Sequence, residues 1–307
     1  MLGSGPDDGD VLEMGPDKPR RGWAIGRRGR LALAGACALL VVGGALIGLR
    51  LSSSGPANPA LARLVTEVTT VPVSAVGSGS GGADSYSGAL PSSSSSVSSA
   101  SSSIPVFEGS PSPTGPNARP LFSGGKPEVL YVATEYCPFC VAQSWPLIVA
   151  LSHFGQFSGL STSRSPTFES IPPVDGWTFY GSSYKSPYLV FAPVETHSNV
   201  LVSPNADPGD KTSYRTLQRL TTAEQAVFSE YDRGNETPFL DFGGQATAIG
   251  TDIVPATLAG LTWTQIAADL RRPASTTGAA VLFSAAALTA ELCQLTGNRP
   301  AAACAES

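Results

Sequence analysis

Apolar and polar positions fall into distinct regimes along this chain. From Leu31 to Leu49 nineteen consecutive positions carry no charge. As a helix that run reaches about 28 Å, enough for the hydrocarbon core of a bilayer. Between Pro91 and Ser103 ten of thirteen residues are serine, and such a stretch buries too little apolar surface to offset its ordering entropy. Beyond it the pattern becomes that of a folded α/β region. Val129 to Ala133 is a continuous apolar run, expected as a buried strand, and Val141 to Phe154 reads as a helix ending at Gly155. Short strands are expected over Leu160–Arg164 and Thr178–Gly181, and a stronger one over Pro187–Phe191. Thr221-x-x-Glu224 and Thr262-x-x-Gln265 have the spacing of capping boxes and predict helices toward Tyr231 and Leu270. Phe239–Phe242 reads as a strand closed by Gly243-Gly244. Ala279–Leu295 is an apolar helix ending at Gly297; its uncharged run, Thr276–Ala290, is short for a span, so it is expected in the core. Alternating strands and helices predict a layered fold with helices on both faces of a sheet.

Charge orders these segments in space. Lys18, Arg20, Arg21, Arg27, Arg28 and Arg30 precede the apolar run, and only Arg50 and Arg63 follow it closely. The positive-inside rule then puts the N-terminus in the cytoplasm and the remainder outside, as a single-pass membrane protein. A cleaved signal peptide is the alternative, but its apolar region would be shorter, about 7–15 residues. The expected organisation is a disordered cytoplasmic tail (1–30), a transmembrane helix (31–49), a juxtamembrane segment (50–76), a Ser/Gly/Pro-rich linker (77–117) and a folded domain (118–307). A net charge of -5, with no basic groove and no Gly-rich phosphate loop, argues against a nucleic-acid partner.

The chemistry lies in Cys137-Pro138-Phe139-Cys140, between the first strand and the first helix. A Cys-x-x-Cys at that turn is a thioredoxin-like redox motif. Cys137 would stand at the helix N-terminus, where free N–H groups and the helix dipole favour a thiolate, the attacking species in disulfide exchange. Pro138 suits the first helical position, and Cys140 lies one turn on, as the resolving thiol. A zinc site would need a second short-spaced ligand pair, which neither His153 and His197 nor the other cysteines supply. A purely structural bridge across so short a loop would be strained and reducible. A Cu(I) carrier is chemically allowed, but both methionines lie near the N-terminus. No metal and no cofactor is expected. Cys37 falls within the span, which leaves an even number of cysteines outside, so Cys293 and Cys304 are expected to form a second, structural disulfide that pins the C-terminal tail.

Thr237-Pro238, ahead of the strand Phe239–Phe242, reads as the counterpart that would face the motif, with a cis-proline leaving the preceding backbone open to a client strand. The wider text is more specific. Gly125 to Val132 leading into Glu135-Tyr136-Cys137, then Trp145 to Leu151, Tyr180 to Tyr184, Thr237-Pro238-Phe239 and Cys293 to Gly297 together resemble domain-of-unknown-function family 929, DUF929. The resemblance covers roughly Ala60 to Cys304. It implies an anchored protein of thioredoxin-like fold, with a long insertion between Gly155 and Glu236, and draws the juxtamembrane segment into the domain. The thioredoxin-like group further implies Cys137 as nucleophile, Cys140 as resolver, and Thr237 and Pro238 as client-binding, with Tyr136 and Phe139 beside them. The chain departs from thioredoxin in its Pro-Phe pair, in Tyr136 standing before the first cysteine, and in having no buried acid among Val129–Ala133, for which Glu135 is the candidate substitute. The expected function is a tethered, extracytoplasmic thiol–disulfide oxidoreductase. Its partners would be client proteins with thiols or disulfides, a membrane or extracytoplasmic redox partner, and the lipid bilayer through residues 31–49. The rival expectation is a non-catalytic binding or assembly module at the cell surface.

Overall fold

The computed structural model describes residues 59–72, 74–75, 109–116, 118–167 and 171–305, all within one unit, Ala57–Ser307. The expected tail, the span 31–49 and most of the serine-rich linker lie outside the described residues.

In chain order the elements are α1 (Pro59–Thr69), β1 (Ser112–Pro113), β2 (Phe122–Ser123), β3 (Lys126–Ala133), α2 (Pro138–Ser152), β4 (Gln156–Ser158), β5 (Ser161–Arg164), β6 (Asp175–Thr178), β7 (Ser183–Lys185), β8 (Val190–Glu195), β9 (His197–Leu201), β10 (Tyr214–Thr216), α3 (Thr222–Tyr231), β11 (Phe239–Phe242), β12 (Ala246–Ile249), α4 (Trp263–Asp269), α5 (Thr276–Leu295) and α6 (Ala301–Cys304). The fold is mixed α/β. β3 is the central strand: β8 pairs with it in parallel, from Glu128↔Val190 to Ala133↔Glu195, and β11 antiparallel, from Phe239↔Val132 to Phe242↔Val129. β12 and then β1 continue the sheet beyond β11.

Side chains of β3 alternate between two cores, as strand geometry requires. Val129, Tyr131 and Ala133 join the larger core, which takes in α2 and α5. Leu130 and Val132 join a smaller one with Val194, Phe228 of α3 and Phe239. α2 is enclosed on every side: each residue from Cys140 to Leu151 is buried. Leu64 and Val68 of α1, with Val71, enter the same large core.

The capping boxes form as their spacing predicts, Thr221 with Glu224 and Thr262 with Gln265. The boundaries differ elsewhere. The strand expected at Thr178–Gly181 lies at Asp175–Thr178, and the one expected at Pro187–Phe191 is β8, shifted to Val190–Glu195. Pairing with β3 decides that shift, because the parallel register runs to Glu195. The fold also reaches back into the expected linker: Ser112 and Pro113 pair with Thr247 and Ala246. Composition could not show this, since two paired residues leave no periodic pattern. The region 155–236 is not one insertion, as β8 and α3 belong to the sheet and its cover. The added structure is three two-stranded ribbons, β4–β7, β5–β6 and β9–β10. Trp145 and Trp177, 5.5 Å apart edge to face, join the β5–β6 ribbon to α2.

Among the described residues one helix, α5, is long and apolar enough to cross a membrane, but 61% of its most apolar window is buried inside the protein. Cys293 near its end and Cys304 of α6 are bridged, with Cα atoms 5.6 Å apart.

Candidate functional site

The carboxyl end of β3 delivers the chain through Thr134, Glu135 and Tyr136 to Cys137, which caps α2 in extended geometry, with Pro138 at the start of the helix. Cys137 and Cys140 are both unbridged thiols, 9% and 3% exposed. The Cys137 Sγ lies 3.5 Å from the carbonyl oxygen of Thr237, 100 residues away in the chain. The peptide between Thr237 and Pro238 is cis. Pro238 is buried at the head of β11 and Thr237 is half-buried. The sheet therefore brings together Cys137, Cys140, Thr237 and Pro238, four of the residues read from the sequence.

The two thiols differ in acidity. A hydrogen bond from the Cys140 thiol holds Cys137 below the ordinary thiol value against the opposing effect of burial, and the N–H groups of Cys140 and Phe139 and the Thr237 side chain reinforce it. These N–H groups are the free donors of a helix start, aimed at the sulfur. Burial pushes Cys140 well above the ordinary value, and the hydrogen bond to Cys137 and its charge add to that. The first sulfur is thus the one that ionises.

Phe139 and Tyr136 part company. Phe139 is 36% exposed beside the thiols, open to a client. Tyr136 is 5% exposed and stacked on Tyr214 of β10, with ring centroids 4.4 Å apart, so it faces the β9–β10 ribbon and not a client. That ribbon is also held by the N–H of Glu135 donating to the carbonyl of His197 at 2.9 Å. The Glu135 carboxylate accepts from the N–H of Asn199 at 3.3 Å and is therefore engaged with β9.

Sequence reasoning missed the buried acid, Glu195. It ends β8, opposite Ala133, and is 3% exposed. Burial raises its pKa to about 7, against hydrogen bonds from the Thr178 hydroxyl and the Phe179 N–H. Tyr131 links it to the thiols. Its phenol is held protonated by burial first, then by the charges of Cys140, Glu195 and Cys137, and its hydroxyl donates to the Cys140 carbonyl at 3.1 Å. The signal was in the fold class: in parallel sheets the carboxyl ends of neighbouring strands carry the chemistry, and a strand running on from Phe191 ends at Glu195.

Among the described residues no group of three or more His, Cys, Asp or Glu side chains is arranged to hold a metal ion. The second cysteine pair stands apart from the first. A Cβ on Gly243 would meet Leu295 Cδ1 at 2.5 Å, so the end of α5 lies against the turn after Phe242, the residue that pairs with Val129 at the start of β3. Cys137 follows the other end of β3, so direct exchange between the two pairs is ruled out in this fold.

Compared with family models, residues 116–208 match a domain of unknown function, DUF929. The match takes in β3, α2 and β8 with both thiols, and stops before Thr237. No curated protein and no solved structure matches the chain.

Proposed function

We propose, with the DUF929 domain at residues 116–208 as premise, that this chain is a membrane-tethered, thioredoxin-like thiol–disulfide oxidoreductase acting on extracytoplasmic proteins. The observation that carries the reading is a helix-capping Cys137 of lowered pKa, 3.5 Å from Thr237 and one turn before a buried Cys140 of raised pKa. The strand order β8–β3–β11–β12, with β3 and β8 parallel and α2 joining them through β-ribbons, supports the thioredoxin-like part. The uncharged run Leu31–Leu49 and the basic residues ahead of it support the tether.

In the forward direction the Cys137 thiolate attacks one sulfur of a client disulfide. A Cys137–client bond forms, the client S–S bond breaks, and one client sulfur leaves as a thiolate. Cys140 then attacks the Cys137 sulfur. The Cys137–Cys140 bond forms, the second client thiolate leaves, and two electrons have passed from the protein to the client. Glu195, titrating at about 7 in the same buried surroundings, takes the proton that Cys140 loses. The steps in reverse oxidise a client dithiol, and an extracytoplasmic dithiol or disulfide partner resets the pair.

The Cys137→Ser variant is expected to lose exchange with a disulfide-bonded peptide, and Cys140→Ser to accumulate mixed disulfides visible on a non-reducing gel. Undiminished exchange in Cys137→Ser would overturn the reading. The reduction potential of the pair in glutathione buffers gives the direction: about -120 to -200 mV for an oxidase or isomerase, about -270 mV or lower for a reductase.

A further inference from the structure

α2 is apolar and enclosed, yet it carries one wholly buried amide, Gln143, at 0% exposure. A buried amide is costly unless it is hydrogen-bonded, and Gln143 has one recorded partner: its Oε1 accepts from the Thr251 hydroxyl at 2.6 Å, while its Nε2 has none. Thr251 is 108 residues away, in the turn after β12. The same hydroxyl accepts from the N–H of Ile253 at 3.2 Å, which fixes the shape of that turn. The residue just before it, Gly250, donates its N–H to the carbonyl of Pro238 at 2.8 Å. Pro238 follows Thr237, whose carbonyl is 3.5 Å from the Cys137 sulfur. The contacts close a ring that runs from Cys137 along α2 to Gln143, across to Thr251, through Gly250 to Pro238, and back by Thr237 to Cys137. The turn is held from its other side too. A Cβ on Gly109 would stand 2.3 Å from the Thr251 backbone, so only glycine permits that approach.

We propose that Gln143 and Thr251 are positioning residues, a hydrogen-bonded clamp that fixes the Thr237–Pro238 loop against the redox helix and so shapes the seat of a client's disulfide-bearing segment. The proposal rests on the oxidoreductase reading for its client half and on the ring of contacts for its structural half. A lost clamp frees the seat and leaves the attacking sulfur on its helix end. Loss therefore falls on client binding, because a loosely held seat must be ordered anew for each client.

The experiment compares the wild-type chain, Thr251→Val, and Thr251→Ser, which keeps the hydroxyl. Hydrogen exchange of the Gly250 amide reads the clamp without any activity. Kinetics with a disulfide-bonded peptide read its consequence. Thr251→Val is expected to speed Gly250 exchange about tenfold and raise KM about five- to tenfold with kcat within about twofold, the sizes that follow from one lost buried hydrogen bond. Thr251→Ser is expected to restore both. Equal Gly250 protection in wild type and Thr251→Val overturns the clamp. Faster exchange with an unchanged KM overturns its positioning role. A wild-type chain with no exchange activity overturns the oxidoreductase reading and the client half with it, while the Gly250 result still decides the clamp.

Discussion

Glu195 and Cys140 are both driven by burial, and both resist ionising for that reason. For Glu195 the consequence for stability has a definite sign. Its folded pKa, about 7, lies above the model value of 4.5, so between those values the folded state binds more protons than the unfolded chain. Stability is therefore lost as pH rises from about 4.5 through 7 and is flat beyond. Glu195→Gln keeps the shape and removes the charge. It is expected to leave stability near pH 4.5 almost unchanged and to raise it at pH 8, by at most about 3 kcal/mol. Denaturant titrations of both proteins at the two pH values check this. An equal effect at both would mean that Glu195 ionises in the fold as it does in water. Glu195 was not legible in the sequence because its burial depends on Thr178 and Phe179, which reach it from another strand's end. Cys137 was legible, because its acidity comes largely from its own helix and from the cysteine three residues on.

Between elements, the contrast lies in the two cysteine pairs. Cys137 and Cys140 sit within one turn of helix at the carboxyl end of β3. The Cys293–Cys304 bridge joins α5 to α6 beyond the other end. With a sequence separation of 11, the chain-entropy relation gives it about 3 kcal/mol. The paired variant Cys293→Ser with Cys304→Ser is expected to lose about that much unfolding free energy while exchanging thiols with a disulfide-bonded peptide at the wild-type rate. A loss of exchange at full folding would place the second pair in the electron path. The elements differ in the same way in how readily they were read. β11, the two capping boxes and the end of α5 are written in adjacent residues. β1 is not, since its two residues become a strand only by pairing with β12.

For the whole molecule, α5 and the run Leu31–Leu49 pass the same test of length and apolarity, so the environment of each must come from what surrounds it. α5 packs against α2 with Ala280 to Leu282, Ala285, Leu288 and Leu292 all buried, and a helix so covered has no face left for lipid. The run 31–49 is flanked by basic residues on one side only. Deletion of residues 1–56 is therefore expected to move the protein from the membrane fraction to the soluble fraction with both thiols still reactive. Retention in the membrane after the deletion would shift the anchor to the C-terminal half.

The sequence by itself determined what a few neighbouring residues can encode. These are the apolar run with its basic flank, the Cys-x-x-Cys at a strand-to-helix turn with Pro138 to start the helix, Thr237-Pro238 ahead of a strand, and the helix starts at Thr221 and Thr262. Each depends on backbone geometry over about one turn, so residue type and spacing suffice. The tertiary structure decided which distant groups share a surrounding. It buried Tyr136 under Tyr214, turned Glu135 toward β9, brought Glu195 beside Tyr131, and joined Gln143 to Thr251. Those outcomes depend on desolvation and on hydrogen-bond partners tens of residues away, and both exist only once the sheet has set its register.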